Sequence, residues 1–242
     1  MQQIELELAG GGVLTVSLRA SLDAMPAVKQ RPLVLVVPGG GYNHVSPREG
    51  DPVALQFAAA GYHTAVLTYS VGEGAQNYRP LRQLNEALAL LRQNAGEWHI
   101  LPDKIAVCGF SAGGHLALSG AVLDIPGETA QQRPNAVILG YPVITAGEFA
   151  HRGSFVQLAG SEDAAAQQAF TLEDKTVPVE NTLLLLAALR RAGVPCEAHL
   201  FEKGAHGTSI STAEVDAADP HRAHWVALCL EWLGETFGFK LS

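Results

Sequence analysis

Ser111 is the centre of Gly109-Phe110-Ser111-Ala112-Gly113, a G-x-S-x-G pattern. It lies where the apolar run Ile105-Ala106-Val107-Cys108 gives way to an Ala- and Leu-rich segment of helical character. That junction predicts a sharp strand-to-helix turn, with the serine strained and its hydroxyl projecting from the top of a sheet. The helix N-terminus behind it offers N–H groups to developing negative charge. A serine hydroxyl is a poor nucleophile until a base takes its proton, so the chemistry needs a histidine oriented by a carboxylate. Of the nine histidines, His206 lies in the Gly-rich loop Lys203-Gly204-Ala205-His206-Gly207, after the last expected strand, and is the candidate base. His115, four residues past Ser111, is expected to pack or cap, and His44 could line a pocket. His63, His99, His151, His199, His221 and His224 read as structural or solvated. Pro38-Gly39-Gly40-Gly41-Tyr42 reads either as a flexible turn or as a source of accessible N–H groups for an oxyanion. With Ser111 at a neighbouring strand end the second reading is favoured, with Gly40, Gly41 and Ala112 as donors.

These residues need a scaffold. Ile4 to Leu8 and Val13 to Leu18 alternate around Gly10-Gly11-Gly12, predicting an antiparallel hairpin at a sheet edge. Pro32 to Val37, Thr64 to Tyr69, the run before Ser111 and Ala136 to Gly140 are apolar enough for strands covered on both faces. Helices are expected over 51–60, 81–98, from Ser111 to about 123, over 181–192 and over 220–233. Glu197 to Glu202 is expected to be a strand. Strands alternating with helices imply a mostly parallel, doubly wound sheet in one domain spanning 1–242.

Composition narrows the function classes. The net charge of −8, with 16 scattered Lys and Arg, argues against nucleic-acid or anionic-membrane partners. No run approaches the roughly 18 apolar residues of a membrane span, and the first residues lack a signal-peptide pattern. Three widely spaced cysteines in apolar surroundings read as reduced thiols rather than a disulfide or a metal site. A cytoplasmic protein is expected.

Several stretches together resemble bacterial esterases of the α/β-hydrolase fold, the acetyl esterase and acetyl-xylan-esterase-like group. They are Val37 to Tyr42, Ala60-Gly61-Tyr62, Tyr69-Ser70-Val71, Glu97 to Ile100, Val107 to Ala117, Val177 to Asn181 and Gly204 to Gly207. The resemblance covers nearly the whole chain and implies hydrolysis of short acyl esters through an acyl-serine, without metal or cofactor. It matches Ser111 to the nucleophile and His206 to the base, and Asp174 in Asp174-Lys175-Thr176-Val177-Pro178 to the acid. Tyr42, Asn43, His44 and Tyr141 are candidate pocket residues.

In one respect the chain departs from that group. Between Ser161 and Asp174, where a buried strand is expected, only Phe170 and Leu172 are strongly apolar, and the stretch reads as a surface helix. The sheet is therefore expected to be one strand short. Glu197 to Glu202 must then pair with Ala136 to Gly140, or leave an edge needing cover. Asp174 or His206 could be displaced, and Glu173, Glu180 and Asp163 stand as alternative acids. A homodimer covering the edge is open. So are two other functions: an amidase or aryl-formamidase on the same site, and a non-catalytic binding protein that keeps an esterase pocket.

Overall fold

The structure, a computed structural model, describes residues 1–21, 28–125, 127, 132–159, 174 and 176–241. Its strands are β1 (Gln2–Glu7), β2 (Val13–Leu18), β3 (Arg31–Val37), β4 (His63–Thr68), β5 (Ile100–Phe110) and β6 (Ala136–Gly140). They form one sheet in the order β1-β2-β4-β3-β5-β6. The hairpin β1–β2 is antiparallel and joins β4 antiparallel, whereas β4, β3, β5 and β6 are mutually parallel. The expected hairpin and doubly wound sheet are both present. β5 begins four or five residues earlier than the apolar run suggests, because Ile100 already pairs with Arg31 before the register shifts.

The helices are α1 (Asp51–Ala59), α2 (Arg79–Gln93), α3 (Ala112–Val122), α4 (Arg152–Ala159), α5 (Glu180–Ala192) and α6 (Pro220–Phe237). Period-two alternation divides the central strands between two cores. Leu33, Leu35, Val37, Ile105 and Val107 pack with Leu84, Leu88 and Leu91 of α2 and Leu116 of α3. Val34, Val36, Ala106, Cys108 and Phe110 pack with Val53 and Phe57 of α1 and Leu233 and Phe237 of α6. Every residue of β3 is buried, which explains its unbroken apolar run. The Asp219 carboxylate starts α6 by accepting from the His221 and Arg222 N–H groups.

Glu197 to Glu202 is not a strand. Residues 191–200 are all exposed, and β6 pairs only with β5 among the described residues. Alternation makes a strand only where a partner edge supplies the ladder, and among the described residues none is laid beside this segment. The helix expected between Ser161 and Asp174, with the alternative acids Asp163 and Glu173, lies outside the described residues apart from Asp174 itself.

Candidate active site

β3 is followed in sequence by β4 on one side, and β5 crosses over to its other side. The carboxyl ends of β3 and β5 thus flank a point where the strand order reverses, the usual ligand crevice of an open α/β sheet. The glycine loop follows β3 and Ser111 follows β5, with Val37 paired to Gly109.

Ser111 has φ 52° and ψ −118°, a strained conformation for a residue with a Cβ. The turn is held by its surroundings. Ser111 N–H donates to Gly140 O at 3.0 Å, and Val143 N–H to Ser111 O at 3.1 Å. The flanking glycines are required by space. A Cβ at Gly109 would run into the Gly113 carbonyl and Ala117, and one at Gly113 into the carbonyls of Val37 and Pro38. Strand, turn and helix are therefore pressed together as the motif predicts.

His206 reaches this serine. Ser111 Oγ lies 2.8 Å from His206 Nε2, and Asp174 Oδ2 lies 2.8 Å from His206 Nδ1. The Asp174 Oδ1 atom accepts the N–H groups of Thr176 and Val177, each at 2.9 Å. Burial pushes the Asp174 carboxyl up, but the hydrogen bonds from His206, Val177 and Thr176 outweigh it and hold the group below its ordinary value. An ionised Asp174 fixes the Nδ1–H tautomer and leaves Nε2 free to accept the serine proton. Among the acids left open by the sequence, Glu180 is instead the first residue of α5.

The glycine loop is well tethered. Tyr69 O–H donates to Pro38 O at 2.8 Å, Ser46 N–H to Gly39 O at 3.0 Å, and Asn43 N–H to Gly40 O at 3.0 Å. Gly39 N–H is taken by Glu49 Oε2 at 2.8 Å. That leaves Gly40 and Gly41, both at positive φ (123° and 65°), beside Ala112 at the first position of α3, whose N–H has no intrahelical acceptor. The loop abuts Ser111, since a Cβ on Gly39 would stand 2.9 Å from Ser111 Cβ.

The candidate pocket residues separate. Tyr42 is buried at 1% exposure, and its hydroxyl lies 2.8 Å from His115 Nδ1, so it supports the loop from beneath. Burial depresses His115 to about 4, keeping its ring neutral. Asn43 and His44 are exposed. Tyr141 lies under the base, its ring centroid 4.8 Å from that of His206.

Two residues were not singled out by sequence reasoning. Glu49 is 3% exposed and accepts the Gly39 N–H and, at 2.7 Å, the Tyr141 hydroxyl. His151, read from sequence as structural or solvated, has its Cε1 3.5 Å from where a Cβ would stand on Gly41. Its pKa is lowered by burial and then by His206, with Asp174 opposing. Neither carries a local signal, since each acquires its neighbours only through the fold. No group of three or more His, Cys, Asp or Glu among the described residues could hold a metal ion. No helix among them is long and apolar enough to cross a membrane.

Comparison with known proteins bears on the fold and the family. Residues 24–126 match the BD-FAE family. An acetylxylan esterase of Xylanibacter ruminicola is 29% identical over 74% of this chain and 41% of its own length. The chain spans less than half the length of the curated relatives it matches. Among solved structures, an acetyl ester-xyloside bifunctional hydrolase from Caldicellulosiruptor lactoaceticus is 32% identical over 95% of this chain and 89% of that one, with a TM-score of 0.79. MGS-M1, an α/β-hydrolase enzyme from a Medee basin deep-sea metagenome library, is 34% identical over 98% of both chains, with a TM-score of 0.81. Sharing that much sequence and shape over its whole length, the chain belongs to the α/β-hydrolase-fold esterases.

Proposed function

We propose that this chain is a serine carboxylesterase that hydrolyses short acyl esters, acetyl esters of sugars among them, through an acyl-serine intermediate. The observation that carries the reading is the continuous hydrogen-bonded chain Ser111–His206–Asp174, with 2.8 Å at both links. Ser111 Oγ attacks the ester carbonyl carbon as His206 Nε2 takes its proton, and Asp174 stabilises the imidazolium. The tetrahedral oxyanion is received by the N–H groups of Gly40, Gly41 and Ala112, each such donor contributing about 3 kcal/mol to the transition state. His206 then protonates the leaving alkoxide. Water attacks the acyl-serine with His206 again as base, releasing the carboxylic acid and restoring Ser111.

Two features support a short acyl group and a sugar ester. Ser111 is only 7% exposed, which favours a small acyl group at the nucleophile. Similar chains that are an acetylxylan esterase and an acetyl ester-xyloside hydrolase point to the same chemistry. A reducing, cytoplasmic setting is in keeping with three free cysteines.

The test is hydrolysis of p-nitrophenyl acetate, butyrate and octanoate by the wild type and Ser111→Ala. We expect acetate to be the fastest, and Ser111→Ala to lose at least about 10³-fold in kcat while keeping its fold. Absence of Ser111-dependent turnover, together with no labelling of Ser111 by a fluorophosphonate, would sink the reading.

A further inference from the structure

Across the site lies a carboxylate that the reaction does not consume. Glu49 closes the short 3-10 turn Pro47–Glu49 after the glycine loop. A buried carboxyl is costly unless its oxygens are hydrogen-bonded, and Glu49 has a donor on each. Gly39 N–H serves Oε2 and Tyr141 O–H serves Oε1. Gly39 also abuts the nucleophile, since a Cβ there would stand 2.9 Å from both Glu49 Oε2 and Ser111 Cβ. Burial, and then the charge of Glu49, push the Tyr141 phenol well above its ordinary pKa, so it remains a donor.

The Tyr141 hydroxyl is bonded a second time, accepting Ser209 N–H at 2.9 Å. Ser209 is three residues past His206, and its hydroxyl donates to Arg48 O at 2.6 Å. The Arg48 guanidinium donates to Gly207 O. Trp225 Nε1 holds Ser209 O from α6 at 3.0 Å. The segment bearing His206 is therefore moored to Arg48, Glu49 and Tyr141 on the glycine-loop side. On its own N-terminal side it leaves residues 191–200, which are exposed and outside the sheet. Tyr141 at φ 34° and Ser209 at φ 49° are strained conformations, of the kind kept only where the surroundings over-determine them.

We propose that Glu49 is a positioning residue: by holding Gly39 and Tyr141 together it fixes the glycine loop and the His206 loop relative to Ser111. It does the work a strand before His206 would otherwise do. The assignment rests on the reading of Ser111, His206 and Asp174 as the working triad. In Glu49→Gln the amide still accepts from Gly39 but presents N–H groups to Tyr141, leaving the phenol proton without an acceptor. Tyr141→Phe keeps the ring under His206 and removes only the hydroxyl.

The experiment is steady-state hydrolysis of p-nitrophenyl acetate, with thermal unfolding, for wild type, Glu49→Gln, Tyr141→Phe and the double variant. Each single variant is expected to lose about 10- to 100-fold in kcat, the scale of a slight misplacement of a catalytic group. KM should change by less than about twofold, and the unfolding midpoint by only a few degrees. The double variant should be no slower than the worse single, because both break one linkage. Folded single variants with kcat within about twofold of wild type would overturn the proposal, as would losses that multiply in the double. If Glu49→Gln does not fold, Tyr141→Phe decides by the same kcat criterion. A wild type without Ser111-dependent turnover would overturn both this proposal and the triad reading.

Discussion

The two sides of the crevice are built differently. The proposed nucleophile follows β5, whose residues from Ile105 to Phe110 are all buried, beside the wholly buried β3. The proposed acid and base come from the other side. There β6 is only half-buried along its length, α5 turns Leu183 and Leu184 outward at 48% and 46% exposure, and Leu200 is 55% exposed. Yet His206 meets Ser111 and Asp174 at 2.8 Å each. Precision on the first side comes from close packing, and on the second from a few side-chain hydrogen bonds and two backbone N–H groups at Asp174. Among the described residues no strand lies beneath His206, and its loop is held instead by its ties to Arg48 and Tyr141.

This contrast can be broken at several points. Asp174→Asn should cost the most in activity, about 10³- to 10⁴-fold in kcat, or roughly 4–5 kcal/mol, by leaving His206 with the wrong tautomer. Its unfolding midpoint should barely move, and retention of more than a tenth of wild-type kcat would return the acid role to another carboxylate. Stability should respond in the opposite sense. Leu35→Ala, at a fully buried site of β3, is expected to cost about 2–5 kcal/mol in urea unfolding, while Leu200→Ser should stay within about 0.5 kcal/mol. A cost above about 1 kcal/mol at Leu200 would mean that this segment is packed in solution.

Acid should act mainly on the packed side. Burial holds His115 of α3 and His63 of β4 at about 4 against an ordinary 6.5. Between those values the unfolded chain binds protons that the folded chain refuses, so stability falls as pH drops from about 6.5 toward 4. For His115 alone the loss from pH 7 to pH 5 is about 2 kcal/mol. Asp174, held below its ordinary value of 3.8, contributes stability that is lost only under more acid conditions. Equal unfolding free energies at pH 7 and pH 5 would contradict the assigned burial of both rings.

The same contrast explains what could be read from the sequence. Runs such as Leu33 to Val37 announce themselves because a strand covered on both faces admits nothing else, and Gly109 and Gly113 because no Cβ fits there. Ser111, His206 and Asp174 were legible as residue types in motif context. The segment from Glu197 to Glu202 misled, since its alternation is a local property and its pairing is not. Glu49 was silent for a related reason: one Glu after Pro47-Arg48 looks like any solvated turn residue. The fold buries it, bringing Tyr141 to it from 92 positions away.

The separation of 95 positions between Ser111 and His206 also sets an order of events in time. The turn at Ser111 joins sequence neighbours, β5 and α3, and can form with the parallel core. The histidine arrives only after a long loop closes, an entropic cost that no strand pairing of residues 197–202 offsets along the way. In refolding from urea, helical and sheet signals should therefore recover before esterase turnover, with an interval in which the serine is in place but not yet activated. Following far-UV circular dichroism and p-nitrophenyl acetate turnover in the same refolding mixture measures that lag, and coincident recovery would show that the two sides of the crevice form as one cooperative unit.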